Sequence, residues 1–541
     1  MPMKTVRLFS LSALTCVFLA GCSMLPSDTS ETADADATIE TLAPLKEQPA
    51  PAPAKIIADL DAQEEPPETV VVIAPQDETN IWFRIQRQLM MEAPEVPRLI
   101  SQRDWYLRNP AYMERVAKRA QPFMHLIVEE IEKRGMPLEL ALLPIVESAF
   151  DPFAYSHGRA AGIWQFIPGT ARHYGLEINW WYDGRRDVHA ATHAALDYLD
   201  ALHTMFDGNW LHALAAYNSG EGRVRGAIRK NKRAGKPTDF WSLDLPRETR
   251  AYVPKLLALA DILKHHETYQ YSWVPIDNQP YLAVVHADSQ IDLAKAAEHA
   301  GLTLEQLHHY NSGYNRWATD PQGPHRLLLP LENAKQLEAW LTTSEAKDWV
   351  QWTRHRVKNG ESLLVIAKKY HTTVDAIRQA NNIRGSMIRA GDHLLIPVAT
   401  RDLKEYSLSA EQRLADTQAT PRGQHKIEHR VEAGDTLWDL SRKYNVNLRA
   451  LAKWNGMAPT DPLRQGRELV VWLPEDEKPS GVIRSLSYRV RSGDSLARIA
   501  NRFGVKIADI EKWNQISRQN YLQPGQQLKL FVDVTRLNSQ S

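Results

Sequence analysis

The feature that most constrains this chain is a threefold internal repeat near its C-terminal end, because repeats must be recognised before any single motif is weighed. Three segments open alike, as Val357-Lys-Asn-Gly360-Glu361-Ser362-Leu363, Val431-Glu-Ala-Gly434-Asp435-Thr436-Leu437 and Val490-Arg-Ser-Gly493-Asp494-Ser495-Leu496. In each, an asparagine follows the glycine by 21 residues (Asn381, Asn455, Asn514), and a second glycine follows it by 31 or 32 (Gly391, Gly466, Gly525). Each unit reads strand, helix, helix, strand. A Gly-Asp/Glu-Ser/Thr turn leads from the opening strand to a helix capped by the hydroxyl or carboxylate. Positions such as Leu437, Leu440, Leu448 and Leu451 supply the buried faces of two helices, and the closing strand ends at Pro397 or Pro474 in the first two copies.

This pattern resembles the LysM domain, a small βααβ module. The resemblance implies binding of N-acetylglucosamine-containing glycans in a groove between the first turn and the loop ahead of the closing strand. The residues it singles out are Gly360, Glu361 and Ser362, Gly434, Asp435 and Thr436, and Gly493, Asp494 and Ser495. Trp454 and Trp513 either stack on sugar or pack in these small cores. A fourth, degenerate copy is expected upstream: Leu293, Ala297, Gly301, Leu307 and Asn311 share the spacing of Leu496, Ala500, Gly504, Ile510 and Asn514, but the Gly-Asp turn is missing.

Residues 81–270 read differently, with helical periodicity and abundant Ala and Leu. Glu147 lies among Leu142, Leu143, Ile145, Val146 and Phe150. Burial there would raise its pKa, because desolvation disfavours the charged form. An acid still protonated near neutral pH is what glycosidic cleavage needs for its leaving oxygen. Downstream come Gly162-Ile-Trp-Gln165, Ala216-Tyr217-Asn218-Ser-Gly220 and Glu248-Thr-Arg250-Ala-Tyr252. In this order the motifs resemble the catalytic domain of the lytic murein transglycosylases, which has a lysozyme-like fold. The family's Gly-Leu-Met-Gln is here Gly162-Ile163-Trp164-Gln165. The resemblance makes Glu147 the catalytic acid and then base. Ser156 would contact the sugar N-acetyl group or the attacking hydroxyl, and Gln165 and Asn218 would bind glycan. Tyr217 and Tyr252 would line the cleft and bond Glu147 or substrate, and Ser148 would support the glutamate's loop. It implies no cofactor and no metal. His189 and His193 have the spacing of a helical metal pair but lack a third ligand. Asp151, Asp183 and Asp187 stay open as a second acid. The basic run Arg223–Arg233 reads as a solvated helix.

Lys4 and Arg7, the apolar run Leu8–Ala20 and Leu19-Ala-Gly-Cys22 resemble a lipoprotein signal with lipidation at Cys22, and Ser23 favours the outer membrane. Residues 23–80 carry 13 acidic side chains against Lys46 and Lys55 and include a Pro-Ala alternation, so a disordered tether is expected. Over 541 residues, 65 basic and 65 acidic side chains balance, which excludes an ordinary nucleic-acid binder. Two cysteines exclude a disulfide scaffold.

The expected fold class is α+β multidomain: a mainly α-helical lysozyme-like catalytic domain followed by small βααβ modules. Its segments are a signal peptide (1–21), tether (22–80), catalytic domain (81–270), degenerate module (271–345), first repeat (352–398), linker (399–425), second repeat (426–475) and third repeat (486–533). The expected function is lytic cleavage of peptidoglycan with anhydro ends. The alternatives are a muramidase of the same fold and a non-enzymatic wall-binding lipoprotein. The expected partners are peptidoglycan strands and, through the lipid anchor, the membrane, for a monomer in the bacterial envelope facing the periplasm. No nucleic acid is expected.

Overall fold

The computed structural model describes residues 74–473, 483–503, 507–514 and 522–533, with 505 and 516 between them. The expected signal peptide, Cys22 and nearly all of the tether lie outside the described residues.

Helices Ile81–Gln86, Pro97–Arg108, Pro110–Ala120 and Met124–Lys133 lead into a 3-10 turn, Leu138–Leu142, and the short helix Leu143–Ser148. Val188–Met205, Trp210–Ser219, Glu221–Arg233 and Arg247–Lys264 complete this helical unit. Local chemistry sets the boundaries. Pro97 and Pro110 sit at first helical positions, where a missing N–H costs nothing. Asp187 and Asn209 cap the next two long helices by accepting from the Ala190 and His212 amides. One core joins these helices, with Leu140, Leu143, Ile145 and Phe150 packed together with Leu199, Leu214, Leu256 and Leu259.

Among the described residues four two-stranded antiparallel sheets follow, one per module. The pairs run Leu282–His286 with Arg326–Pro330, Gln351–Arg356 with His393–Val398, His425–Arg430 with Glu468–Leu473, and Ile483–Arg489 with Gln527–Asp533. The repeated asparagine explains why they share one shape. Asn381 donates to the Ile377 and Leu395 carbonyls and accepts from the Leu395 amide, stapling the second helix to the closing strand. Asn455 and Asn514 repeat this with Val470 and Lys529. Asn311 makes the same staple to Leu328 in the degenerate copy, so that copy holds the fold without the Gly-Asp turn.

The degenerate module is also a hub. Its core takes in Trp181 and Tyr182 from the helical unit and Tyr406 from beyond the first repeat. Buried Asp292 accepts from the Thr400 amide and hydroxyl and from the Tyr406 hydroxyl. Residues 399–425, read as a linker, thus pack against the degenerate module and carry the helix Ala410–Ala419, capped by Ser409. The fold is a helical unit followed by small βααβ modules, as the sequence pattern requires.

Candidate active site

Glu147 occupies the last turn of Leu143–Ser148. The chain then leaves through two consecutive left-handed residues, Ala149 (φ 52°) and Phe150 (φ 55°). Such backbone is costly outside glycine and persists only where the surroundings enforce it. Here the Phe150 ring is fully buried in the core and the Phe150 amide returns to the Pro144 carbonyl. Ser148 donates to the Pro144 and Ile163 carbonyls, tying the glutamate's turn to the Gly162–Gln165 loop.

Desolvation pushes the Glu147 carboxyl up to about 7, against the opposing pull of a hydrogen bond from the Tyr252 hydroxyl to Oε1. Burial raises the Tyr252 phenol well above its ordinary value, so it stays a donor. That bond favours the carboxylate, so Tyr252→Phe is expected to raise the Glu147 pKa. The alkaline limb of the pH–rate profile should then move to higher pH, while the maximal rate falls through looser positioning. A profile of kcat/KM against pH checks this, and a limb moving to lower pH contradicts it.

The other side chains singled out from the sequence divide into two groups. Asn218 and Gln165 are held with one polar end committed. Thr249 donates to Asn218 Oδ1 at 2.9 Å, leaving the amide nitrogen to donate, and Gln165 Nε2 donates to the Gly162 carbonyl at 2.7 Å, leaving its oxygen to accept. Tyr217 does not bond Glu147: its hydroxyl donates to the Trp164 carbonyl at 2.9 Å. Trp164 is itself fully buried and donates to Thr192, so the third side chain of Gly-Ile-Trp-Gln anchors the loop in the core. Ser156 Oγ accepts from the Gly158 and Ala160 amides inside a tight turn. Thr249 was not singled out from the sequence, although its place between Glu248 and Arg250 offered a signal.

The carboxylates left open as a second acid are engaged elsewhere. Asp183 binds Arg185 at 2.8 Å, Asp187 binds Arg326 and Tyr182 while capping a helix, and Asp151 accepts from the Phe153 amide. Glu248, one helical turn before Tyr252, lies within electrostatic reach of Glu147 and raises its pKa further. His193 turns to Glu130 at 3.3 Å. Among the described residues no group of three or more His, Cys, Asp or Glu is placed to hold a metal ion. The basic run lies on the helix Glu221–Arg233, which turns Val224 and Ala227 inward.

In the repeats, the turn acids serve the turn. Glu361, Asp435 and Asp494 accept from the Lys358, Glu432 and Arg491 amides, and from His355, His429 and Tyr488 on the opening strands. Ser362, Thr436 and Ser495 accept from the Val365, Asp439 and Arg498 amides at the start of the helices that follow. Gly360, Gly434 and Gly493 hold φ of 81°, 89° and 85°, which suits glycine. Trp454 and Trp513 pack partly buried in their module cores.

Residues 125–240 match the transglycosylase SLT domain, and 281–346 match the LysM-like domain of lytic transglycosylase MltD. Residues 355–397, 429–472 and 488–531 match the LysM domain. An autolysin of Enterococcus faecalis is 27% identical over 175 residues, covering 30% of this chain and 23% of that protein. The solved structure of an inactive mutant of lytic transglycosylase Slt from Pseudomonas aeruginosa aligns with 36% of this chain and 33% of its own, at 24% identity and a TM-score of 0.24. Membrane-bound lytic murein transglycosylase D of Escherichia coli K12 is 40% identical over 411 residues, spanning 74% of this chain and 87% of that protein. The chain therefore belongs to the family of membrane-bound lytic murein transglycosylase D.

Proposed function

We propose that this chain is a lytic transglycosylase that cleaves the β-1,4 bond between N-acetylmuramic acid and N-acetylglucosamine in peptidoglycan, leaving 1,6-anhydro ends. The observation that carries the reading is the Glu147 carboxyl, desolvated to a pKa of about 7 and held by Tyr252. Glu147 gives its proton to the bridging oxygen as the C1–O bond breaks, and the sugar's acetamido group steadies the positive charge developing at C1. The carboxylate so formed takes the proton of the C6 hydroxyl on the same muramic acid, and O6 bonds to C1. One carboxylate serves both steps, whereas most glycosidases divide them between two. The second carboxylate is dispensable because the attacking hydroxyl is intramolecular, already at high effective concentration. Asn218 donates from its free amide nitrogen and Gln165 accepts on its free oxygen, so the two present opposite polar ends to the glycan. Ser156 meets the N-acetyl or hydroxymethyl face, and Tyr217 keeps the Gln165 loop in place.

The LysM repeats hold the enzyme on the polymer: each weak glycan contact makes the next effectively intramolecular. Their contacts fall on the Gly360–Ser362, Gly434–Thr436 and Gly493–Ser495 turns, where the acids are committed to the turn and backbone groups face the sugar. The N-terminal segment anchors the protein through lipid on Cys22, as a monomer at the outer membrane facing the periplasm. The segment boundaries given above are part of this reading.

The test is the mass of muropeptides released by the purified protein. Products one water lighter than hydrolysis would give are expected. Hydrated reducing ends would instead establish a muramidase, and no release would leave a wall-binding protein.

A further inference from the structure

The turn bearing Ser156 is gripped from outside the catalytic unit. Tyr155 and Ala161 form an antiparallel bridge, and within it the Arg159 amide donates to the Ser156 carbonyl at 3.0 Å. Arg159 sits at the tip with φ of 67°, unusual for a side chain of its size. One side of this tip belongs to the catalytic unit, because Arg185 Nη1 donates to the Arg159 carbonyl at 2.7 Å. The other side belongs to the second LysM repeat. Arg159 Nε pairs with Asp461 Oδ1 at 2.7 Å, and the Tyr155 hydroxyl donates to Asp461 Oδ2 at 3.3 Å. Asp461 is itself set, with a 14% exposed side chain that accepts from the Ala458 amide.

Asp461 lies between Leu448–Trp454 and Glu468–Leu473, in the loop ahead of the closing strand. The resemblance to the LysM domain makes that loop one of the two framing the repeat's groove. A separate element holds the same arrangement. The helix Ala410–Ala419 sends Gln418 to Asn455 of the repeat at 2.9 Å, and stacks Arg413 over Phe153, 4.4 Å from the ring centre, in the loop leading to Ser156. The Ala410 amide also donates to Asn315 of the degenerate module.

We infer that Asp461 is a positioning residue for the transglycosylase site, acting through Arg159 and Tyr155 to hold the Ser156 turn. The second repeat then forms part of the cleft's outer wall, and a glycan strand held by that repeat enters the cleft in a set direction. This rests on the reading of Ser156 as a substrate contact. Arg159 is partly exposed, so solvent screens the pair and its effect is moderate.

The experiment uses the full chain and soluble uncross-linked glycan strands. Asp461→Asn and Arg159→Gln are each expected to raise KM about fivefold, with kcat changed less than about twofold. The charge swap, Arg159→Asp with Asp461→Arg, should recover part of the loss, because it restores the ion pair while an arginine at 461 cannot accept from the Tyr155 hydroxyl or the Ala458 amide. An unchanged KM overturns the inference, as does an equal fall in kcat that the swap fails to rescue, which would mark general structural damage. Faster turnover in the single variants overturns it too, since the pair would then be a latch. If the unaltered protein yields no anhydro ends, the underlying reading fails. If it does and the variants keep its KM, only the role of Asp461 fails.

Discussion

Replacing Glu147 with Gln is expected to cut release of anhydro ends by about 1000-fold, within the range ascribed to one general acid–base group. Glutamine keeps the shape and can still accept the Tyr252 hydroxyl through its carbonyl oxygen, so the groove should bind glycan as before. What it lacks is a proton for the bridging oxygen and a base for the C6 hydroxyl. Both losses fall on one side chain, because Asp151, Asp183 and Asp187 are engaged elsewhere. Unaltered protein should lose rate about tenfold per pH unit above a pH of about 7, where Glu147 gives up its proton, and the variant's residual rate should show no such limb. The substitution should move stability the opposite way from activity. The folded state raises this carboxyl from the ordinary 4.5 to about 7. The native state is therefore penalised progressively as pH climbs through that window, the reverse of a salt-bridged carboxylate. Gln carries no such penalty, so the variant should melt higher than the parent at pH 8, with the gap closing below pH 4.5. Equal turnover of variant and parent on the same glycan would remove Glu147 from the mechanism.

The parts of this molecule that were legible in its sequence are those in which neighbouring residues decide the outcome. The spacing from Gly434 to Asn455 survives because both ends of a short module must meet, the glycine at a left-handed turn and the asparagine at the staple to Val470. Spacing alone thus revealed the degenerate copy through Asn311. Glu147 was legible because an acid among Leu143, Ile145 and Phe150 is followed in order by the Gly162–Gln165, Ala216–Gly220 and Glu248–Tyr252 motifs, whereas a buried acid alone can serve structure, as Asp292 does. Direction was harder to read than presence. Tyr217 and Tyr252 are equally aromatic and both near the acid, yet one hydroxyl reaches Glu147 and the other a carbonyl in the Gly-Ile-Trp-Gln loop. Periodicity assigns a face to a side chain, not the atom its hydroxyl will find. The contact of Tyr155 with Asp461, 306 residues apart, left no trace in either local pattern.

Gly162→Ala should be the most damaging single methyl in the catalytic unit, destabilising it by about 4 kcal/mol and lowering Tm by about 10 °C. Two effects act together. Gly162 holds φ of 79°, where a Cβ meets the neighbouring carbonyl and costs about 1–2 kcal/mol. Worse, that Cβ would stand 1.8 Å from the Arg185 carbonyl oxygen and 2.8 Å from its carbon. Arg185 cannot retreat, because its guanidinium is fastened to Asp183 and to the Arg159 and Phe166 carbonyls. The strain would pass along the loop through Trp164 to Gln165 and, by the Ile163 carbonyl, to Ser148 beside Glu147. Activity should therefore fall further than the loss of folded protein explains. Gly169→Ala is the matched control. Gly169 lies in the helix Pro168–His173 with open space around its Cβ position and no left-handed φ, so the added methyl should be neutral or slightly stabilising. Thermal unfolding of both variants beside the parent decides the matter. If Gly162→Ala melts with Gly169→Ala, close approach to Arg185 is not what this glycine is for.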